Sequence, residues 1–110
     1  AQGSLKDLQA AGWQLRRAAH GLPRGLLTQT LRIRPIEKGD LLHTGAGRKP
    51  PKQILHEHRI PPFIRPCWPL IADENNRPLA LANLRADSRH TVPDGLLPCL
   101  PDYDKFLMKE

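Results

Sequence analysis

The sequence predicts an α+β fold: a small mixed or antiparallel sheet with one or two short helices. Three observations lead there. Prolines number 12 in 110 residues, about twice the usual share of roughly 5%. Each fixes φ and removes a donor, which favours turns and short elements over long helices. Apolar and polar residues alternate over residues 27–34, as in a strand with one buried face. Two apolar runs flank Glu74-Asn75-Asn76-Arg77, the pattern of a hairpin.

Ser4 stands before Leu5-Lys6-Asp7-Leu8. A serine cap with an acid three residues later marks a helix start, and Gly12 stops it. Trp13-Gln14-Leu15-Arg16 alternates as a half-buried strand does, and Gly21-Leu22-Pro23-Arg24-Gly25 is a turn. Residues 27–34 are the clearest strand, with Leu31 and Ile33 on one face and Thr30, Arg32 and Arg34 on the other. Glu37-Lys38-Gly39-Asp40 is a turn before the short apolar segment Leu41-Leu42. Residues 44–49 read as an exposed loop. Pro50-Pro51 opens a short helix, because a first-turn residue needs no N–H. Ile54, Leu55 and His58 share a face of that helix, and Pro61-Pro62 ends it. Residues 69–72 and 78–82 are the hairpin strands. Pro93, Gly95, Pro98 and Pro101 then make an irregular tail, with Phe106 and Leu107 docking back. The expected division is a domain over residues 1–92 and a tail over 93–110.

The formal charge is +6, which favours an anionic partner without bearing on fold. That charge is concentrated. Between Arg32 and Arg65 stand eight basic residues, Arg32, Arg34, Lys38, Arg48, Lys49, Lys52, Arg59 and Arg65, against the acids Glu37, Asp40 and Glu57. Arg32 and Arg34 point the same way from one strand, roughly 6.6 Å apart. Lys49 and Lys52 bracket the start of the Pro50-Pro51 helix, where free N–H groups also favour phosphate. Arginine forks match phosphate oxygens. The residues alone leave two readings open: an anion-binding surface, or a solvated face paired locally to those three acids.

Other chemistries find no footing. His56 and His58 point about 200° apart on a helix and cannot chelate together, His20 and His43 have no evident partner, and the zinc spacings are missing. No nucleophile sits in a recognisable motif. Gly45-Ala46-Gly47 is too short for a nucleotide fingerprint. Five aromatic residues, with Trp68 reading as core, argue against base stacking as the main contact, so any RNA would be read through shape and backbone. Cys67 and Cys99 are expected as free thiols in a reducing compartment, with a single disulfide as the alternative. There is no apolar run of about 18 residues to span a membrane. The start, Ala1-Gln2-Gly3-Ser4, has neither the basic nor the apolar region of a signal peptide. It also lacks an initiator Met, so a piece of a longer protein or a processed product is expected, in the cytoplasm.

The run Leu31-Arg32-Ile33-Arg34-Pro35, Gly39-Asp40, Gly47-Arg48-Lys49, Lys52, Ile54-Leu55, Ile60-Pro61-Pro62-Phe63-Ile64-Arg65 and Trp68-Pro69-Leu70-Ile71 resembles the C-terminal domain of bacterial tRNA(Ile)-lysidine synthetases. That family has an Arg-x-Arg strand, a Gly-Asp turn, a basic loop leading to a lysine-rich helix, an Ile-Pro-Pro-aromatic-x-Arg segment and a Pro-Leu strand. The resemblance covers residues 31–84. Two positions depart from it. The family helix begins Lys-x-Lys-Lys where this chain has Pro50-Pro51-Lys52-Gln53, and the acid after the arginine is Pro66 here.

The resemblance implies a parent enzyme that uses ATP, with Mg, to adenylate the wobble cytidine of an isoleucine tRNA with a CAU anticodon, then joins lysine to the base. That chemistry belongs to an N-terminal domain with a Ser-Gly-Gly-x-Asp-Ser motif, which this chain lacks. It implies no catalytic residue and no cofactor here. It implies instead a tRNA-binding accessory domain that holds the tRNA body and acceptor stem and aids discrimination. The RNA-binding residues would be Arg32, Arg34, Lys52 and Arg65, with Arg48 and Lys49 compensating from the loop. Expected partners are that tRNA, the parent's own catalytic domain and a homodimer mate. The rival expectation is an interdomain or dimerisation module that never touches RNA.

Overall fold

Alternating side chains build a central antiparallel sheet with a core on each face. The computed structural model describes residues 2–107. In chain order its elements are β1 (Gln2–Gly3), α1 (Leu5–Ala10), β2 (Gln14–Ala18), β3 (Leu31–Arg34), β4 (Leu42–Thr44), β5 (Gly47–Lys49), α2 (Pro51–Glu57), β6 (Leu70–Ala72), β7 (Pro78–Leu81), β8 (Arg85–Ala86) and β9 (Gly95–Cys99). Short 3-10 segments lie between them, and one, Pro101–Phe106, follows β9. Strands β1, β3, β6, β7 and β8 lie side by side in that order. Two ribbons, β2 with β9 and β4 with β5, stand apart from this sheet. The expected α+β architecture of small antiparallel sheets and short helices is the one observed.

Period two sends neighbouring residues to opposite faces. Leu31 and Ile71 join Leu5 and Leu8 of α1 and Trp13 in one core. Leu70, Ala72 and Leu81 join Ile54 and Leu55 of α2 and Trp68 in the other. Trp68 is fully buried. Its indole Nε1–H donates to the Ala82 carbonyl at 2.9 Å, and Tyr103 meets its ring edge-on at 4.9 Å. Phe106 and Leu107 pack on the same core, as expected of them.

Both helices start as their sequences dictate. The Ser4 hydroxyl accepts from the Asp7 N–H, and the Asp7 carboxylate accepts from the Ser4 N–H, a closed capping box. In α2, Pro51 occupies the first turn and Ile54 and Leu55 are buried. His58 is not on that buried face; it caps the helix and is exposed. The helix stops before Pro61-Pro62, because Arg59 takes a left-handed φ of 58°. The Arg59 N–H then bonds the His56 carbonyl and the Ile60 N–H the Leu55 carbonyl, each at 3.0 Å. That is a Schellman closure, and it drives Ile60 into the core.

Three further expectations are corrected. Residues 24–28 form a 3-10 turn entered through extended Pro23, so the strand begins only at Leu31. Residues 44–49 are a hairpin and not a loop. The Thr44 hydroxyl accepts from Ala46 N–H and donates to the Gly47 carbonyl, and Gly47 at φ 109° closes the turn. The segment after Pro93 is not irregular throughout: β9 pairs with all of β2, from Gln14 opposite Cys99 to Ala18 opposite Gly95. There the Gly21 and Gly95 backbones meet so closely that a Cβ on Gly95 would fall 2.4 Å from the Gly21 carbonyl oxygen. Asn83 fastens the chain just beyond β9, its side chain bonding both the N–H and the carbonyl of Leu100. Arg16 clasps Asp104 at 2.6 Å. Cys67 and Cys99 are free thiols.

Candidate nucleic-acid interface

The turn after β3 organises the basic surface. Gly39 supplies the φ of 93° that the turn needs. The Asp40 carboxylate accepts from the Glu37 N–H at 2.7 Å, closing the turn on itself. The same carboxylate takes both Nη atoms of Arg34 at 2.8 Å each. Arg34 Nε reaches the Asn76 side-chain oxygen at 2.7 Å. Only 12% of the Arg34 side chain and 8% of that of Asp40 is exposed. Burial pushes the Asp40 carboxyl up, but the Arg34 hydrogen bonds, the Glu37 N–H and the Arg34 charge outweigh it and hold it below its ordinary value. Arg34 is therefore a brace, and its donors are spent inside the protein. Arg32, two residues earlier, is exposed and makes no ion pair among the described residues.

The braced turn walls a groove of about 610 Å³. Pro51 and Lys52 at the start of α2 line it, with Arg65, Pro66 and Lys38. The Schellman turn and the Pro61-Pro62 corner bring the chain back so that Arg65 shares a groove with Lys52. Arg65 Nε donates to the Ile60 carbonyl at 2.7 Å. That bond anchors the guanidinium and leaves both Nη groups without a protein partner among the described residues. Lys38 and Lys52 likewise have no ion pair among the described residues. The groove thus unites two of the residues expected at the interface and adds Lys38, whose signal was its place in the Gly-Asp turn.

The other two expected cations sit on β5. Arg48 is exposed and makes no ion pair among the described residues. Lys49 Nζ lies 2.9 Å from Glu57, and its hydrogen bond holds the Glu57 carboxyl below its ordinary value against an opposing desolvation. The hairpin is fixed from below by a residue that sequence reasoning missed. Asp87 is fully buried and accepts from the His43 N–H at 3.0 Å and the Arg89 N–H at 2.9 Å. The His43 ring stands 3.3 Å away. Burial pushes Asp87 up, yet these N–H groups and the Arg89 side chain hold it low. Its one sequence signal is its position as cap of the turn Ser88–His90.

Phe63, 74% exposed, stands edge-on to Phe106 at 6.0 Å. Among the described residues no group of three or more His, Cys, Asp or Glu is placed to hold a metal. What the arrangement offers is fixed positive charge on rigid walls, suited to phosphate oxygens.

Residues 30–96 match the family model for the TilS substrate C-terminal domain. Over 102 residues the chain is 45% identical to a tRNA(Ile)-lysidine synthase of Neisseria meningitidis serogroup B, an alignment spanning 92% of this chain and 24% of that protein. A tRNA(Ile)-lysidine synthase of Neisseria gonorrhoeae is 47% identical over 102 residues, 92% of this chain and 23% of that protein. One from Chromobacterium violaceum is 30% identical over 86 residues, 78% of this chain and 19% of that protein. The chain therefore spans no more than a quarter of the length of these relatives. A crystal structure of a TILS C-terminal domain superposes with a TM-score of 0.54 at 25% identity, over 82% of this chain and 71% of that one. The chain belongs to the TilS C-terminal domain family.

Proposed function

From that membership we propose that this chain is the tRNA-holding accessory domain of a tRNA(Ile)-lysidine synthase. The parent enzyme would use ATP and Mg, bound elsewhere, to join lysine to the wobble cytidine of an isoleucine tRNA with a CAU anticodon, in the cytoplasm. This chain's part is docking of the tRNA body and acceptor stem, with no bond made or broken here. The observation that carries the reading is the groove where Lys52, Arg65 and Lys38 converge with no ion pair among the described residues, the two acids of its wall, Asp40 and Glu37, being paired with Arg34. Arg48 and Arg32 extend the contact, Lys49 contributes through its exchange with Glu57, and Arg34 acts by holding the wall. Phosphate contacts of this kind set affinity and register; discrimination then comes from shape and base edges.

The test is a titration of this chain against the isoleucine and elongator methionine tRNAs that share the CAU anticodon, at two salt concentrations. The expected result is salt-dependent binding that favours the isoleucine species. Equal affinity for the two would remove the discriminating role, and absence of binding at low salt would remove the docking role. The exposed ring of Phe63 favours a second reading, a docking face for the parent's catalytic domain or for a second copy. Under it, Phe63→Ser abolishes association with that domain and leaves tRNA affinity intact.

A further inference from the structure

A second cavity, of about 550 Å³, shares no residue with the groove. It opens where the β4–β5 hairpin tip meets β8 and the β2–β9 ribbon, and is lined by Gly45, Arg85, His20, Ser88, Thr91 and Leu97. Asp87 builds it indirectly: by bonding His43 and Arg89 it ties the hairpin to the turn that supplies Ser88.

Arg85 is the residue that needs explaining. Its Nε is buried and has no hydrogen-bond partner, the one such side-chain atom among the described residues. A buried donor without an acceptor costs stability and is rare in native proteins. The neighbouring acid cannot serve it, because Asp87 is spent on His43 and Arg89. No carboxylate lines the cavity. Its remaining walls are apolar, from Ala18, Ala19, Ala86 and Leu84. A cavity of this size is within the usual range for a small-molecule site. Thin apolar walls, one guanidinium, one imidazole and two hydroxyls suit a flat heterocycle with an acceptor oxygen at its edge or on an attached phosphate.

We propose that this cavity is a nucleotide site, which takes one unstacked nucleotide of the bound RNA with an acceptor oxygen on the Nη atoms of the Arg85 guanidinium, which have no protein partner among the described residues, and the base against the alanine and leucine walls. The proposal rests on the tRNA-docking reading and gives it a base-sized contact that the groove lacks. Stacking on an aromatic ring is not needed, since burial against apolar walls supplies the same desolvation.

The experiment is an amide NMR titration of this chain with the four nucleoside 5′-monophosphates and, separately, with inorganic phosphate. It is run on the unaltered chain and on Arg85→Met, Arg85→Lys and Lys52→Ala. Expected are nucleotide-induced shifts centred on Gly45, Arg85, Ser88 and Thr91, with inorganic phosphate far weaker. Arg85→Met should weaken nucleotide binding roughly tenfold or more, as loss of a charge-assisted hydrogen bond does, and leave the thermal midpoint unchanged or higher. Arg85→Lys keeps the charge and should weaken binding as well. Lys52→Ala should weaken tRNA and leave nucleotide binding alone. Equal shifts from inorganic phosphate would reduce the cavity to an anion site and overturn the nucleotide claim. A loss of stability in Arg85→Met with nucleotide binding unchanged would overturn it too. If tRNA binds and no nucleotide shifts the cavity residues, the cavity proposal fails and docking stands. If nucleotides bind through Arg85 and tRNA does not bind, docking fails and the RNA source of the nucleotide falls with it.

Discussion

The brace at Arg34 and the groove at Lys52 and Arg65 share one turn and use positive charge in opposite ways. Arg34 is nearly buried and meets a carboxylate on both Nη atoms. Lys52 and Arg65 have no carboxylate partner among the described residues, and Arg65 is tied only by Nε. Residue type does not separate them. The local delivery of an acid does: Asp40 is returned to Arg34 by the Gly39 turn, while the chain beyond α2 brings Arg65 to Lys52 with Pro66 beside it. One arrangement stiffens the wall, and the other leaves charge for a ligand.

The largest effect should come from breaking the brace. Asp40→Asn leaves a nearly buried guanidinium with only the exposed Glu37, 3.7 Å away, as counter-charge and should destabilise the chain by about 3 kcal/mol, read from denaturant unfolding. An unchanged midpoint would mean that Arg34 is solvated and that the contrast is false. The pH dependence is next. Asp40 and Asp87 titrate below their ordinary range, so the unfolded chain binds more protons than the native one at acidic pH. Their stabilisation is complete above the ordinary aspartate range, near pH 4, and falls away as pH drops through the folded values. Asp40→Asn should flatten that acid limb in a pH series of thermal melts; an identical limb would assign it to other carboxylates.

Lys52→Ala should do the reverse of Asp40→Asn. Stability should stay within about 0.5 kcal/mol, as for surface changes generally, while tRNA affinity falls and the salt slope drops by about one. A variant that loses stability and keeps affinity would turn Lys52 into a second brace. The smallest change is expected at Glu57→Gln. It frees Lys49 and should raise tRNA affinity slightly at low salt, with a steeper salt slope by filter binding. Weaker binding instead would show that the ion pair positions Lys49 for its contact.

What the sequence disclosed was whatever a few neighbouring residues decide. The Ser4–Asp7 box, the Pro50-Pro51 helix start, the Asp40 turn and the strands around Asn75-Asn76 each depend on residues close in the chain. The Schellman stop was hidden because arginine at φ 58° is unusual. The β4–β5 hairpin was hidden because Gly45-Ala46-Gly47 reads as a loop until Thr44 binds across it. Strand β9 contains Gly95 and Pro98, residues that argue against a strand, and its partner β2 is remote in sequence. At the interface, Lys52 and Arg65 could be named from their motifs, but their shared groove is a tertiary fact. Arg34 looked like its neighbour Arg32 because strand periodicity reports a direction and not a partner. Asp87 matters through its bond to a hairpin that the sequence concealed, and Arg85 through the cavity it lines with the hairpin's Gly45.

The ribbon of β2 and β9 has a consequence for synthesis. Gln14 must wait for Cys99, and Arg16 for Asp104, before either finds its partner. Closing so long a loop is entropically late, and contacts of this separation slow folding. On a ribosome the central sheet can assemble first, while β2 remains an unpaired edge open to other chains. The Gly21–Gly95 crossing then acts as a latch that no larger residue can work: until it shuts, the nascent chain is exposed to mispairing, and a stop codon ahead of it would leave an aggregation-prone product with much of its sheet already formed.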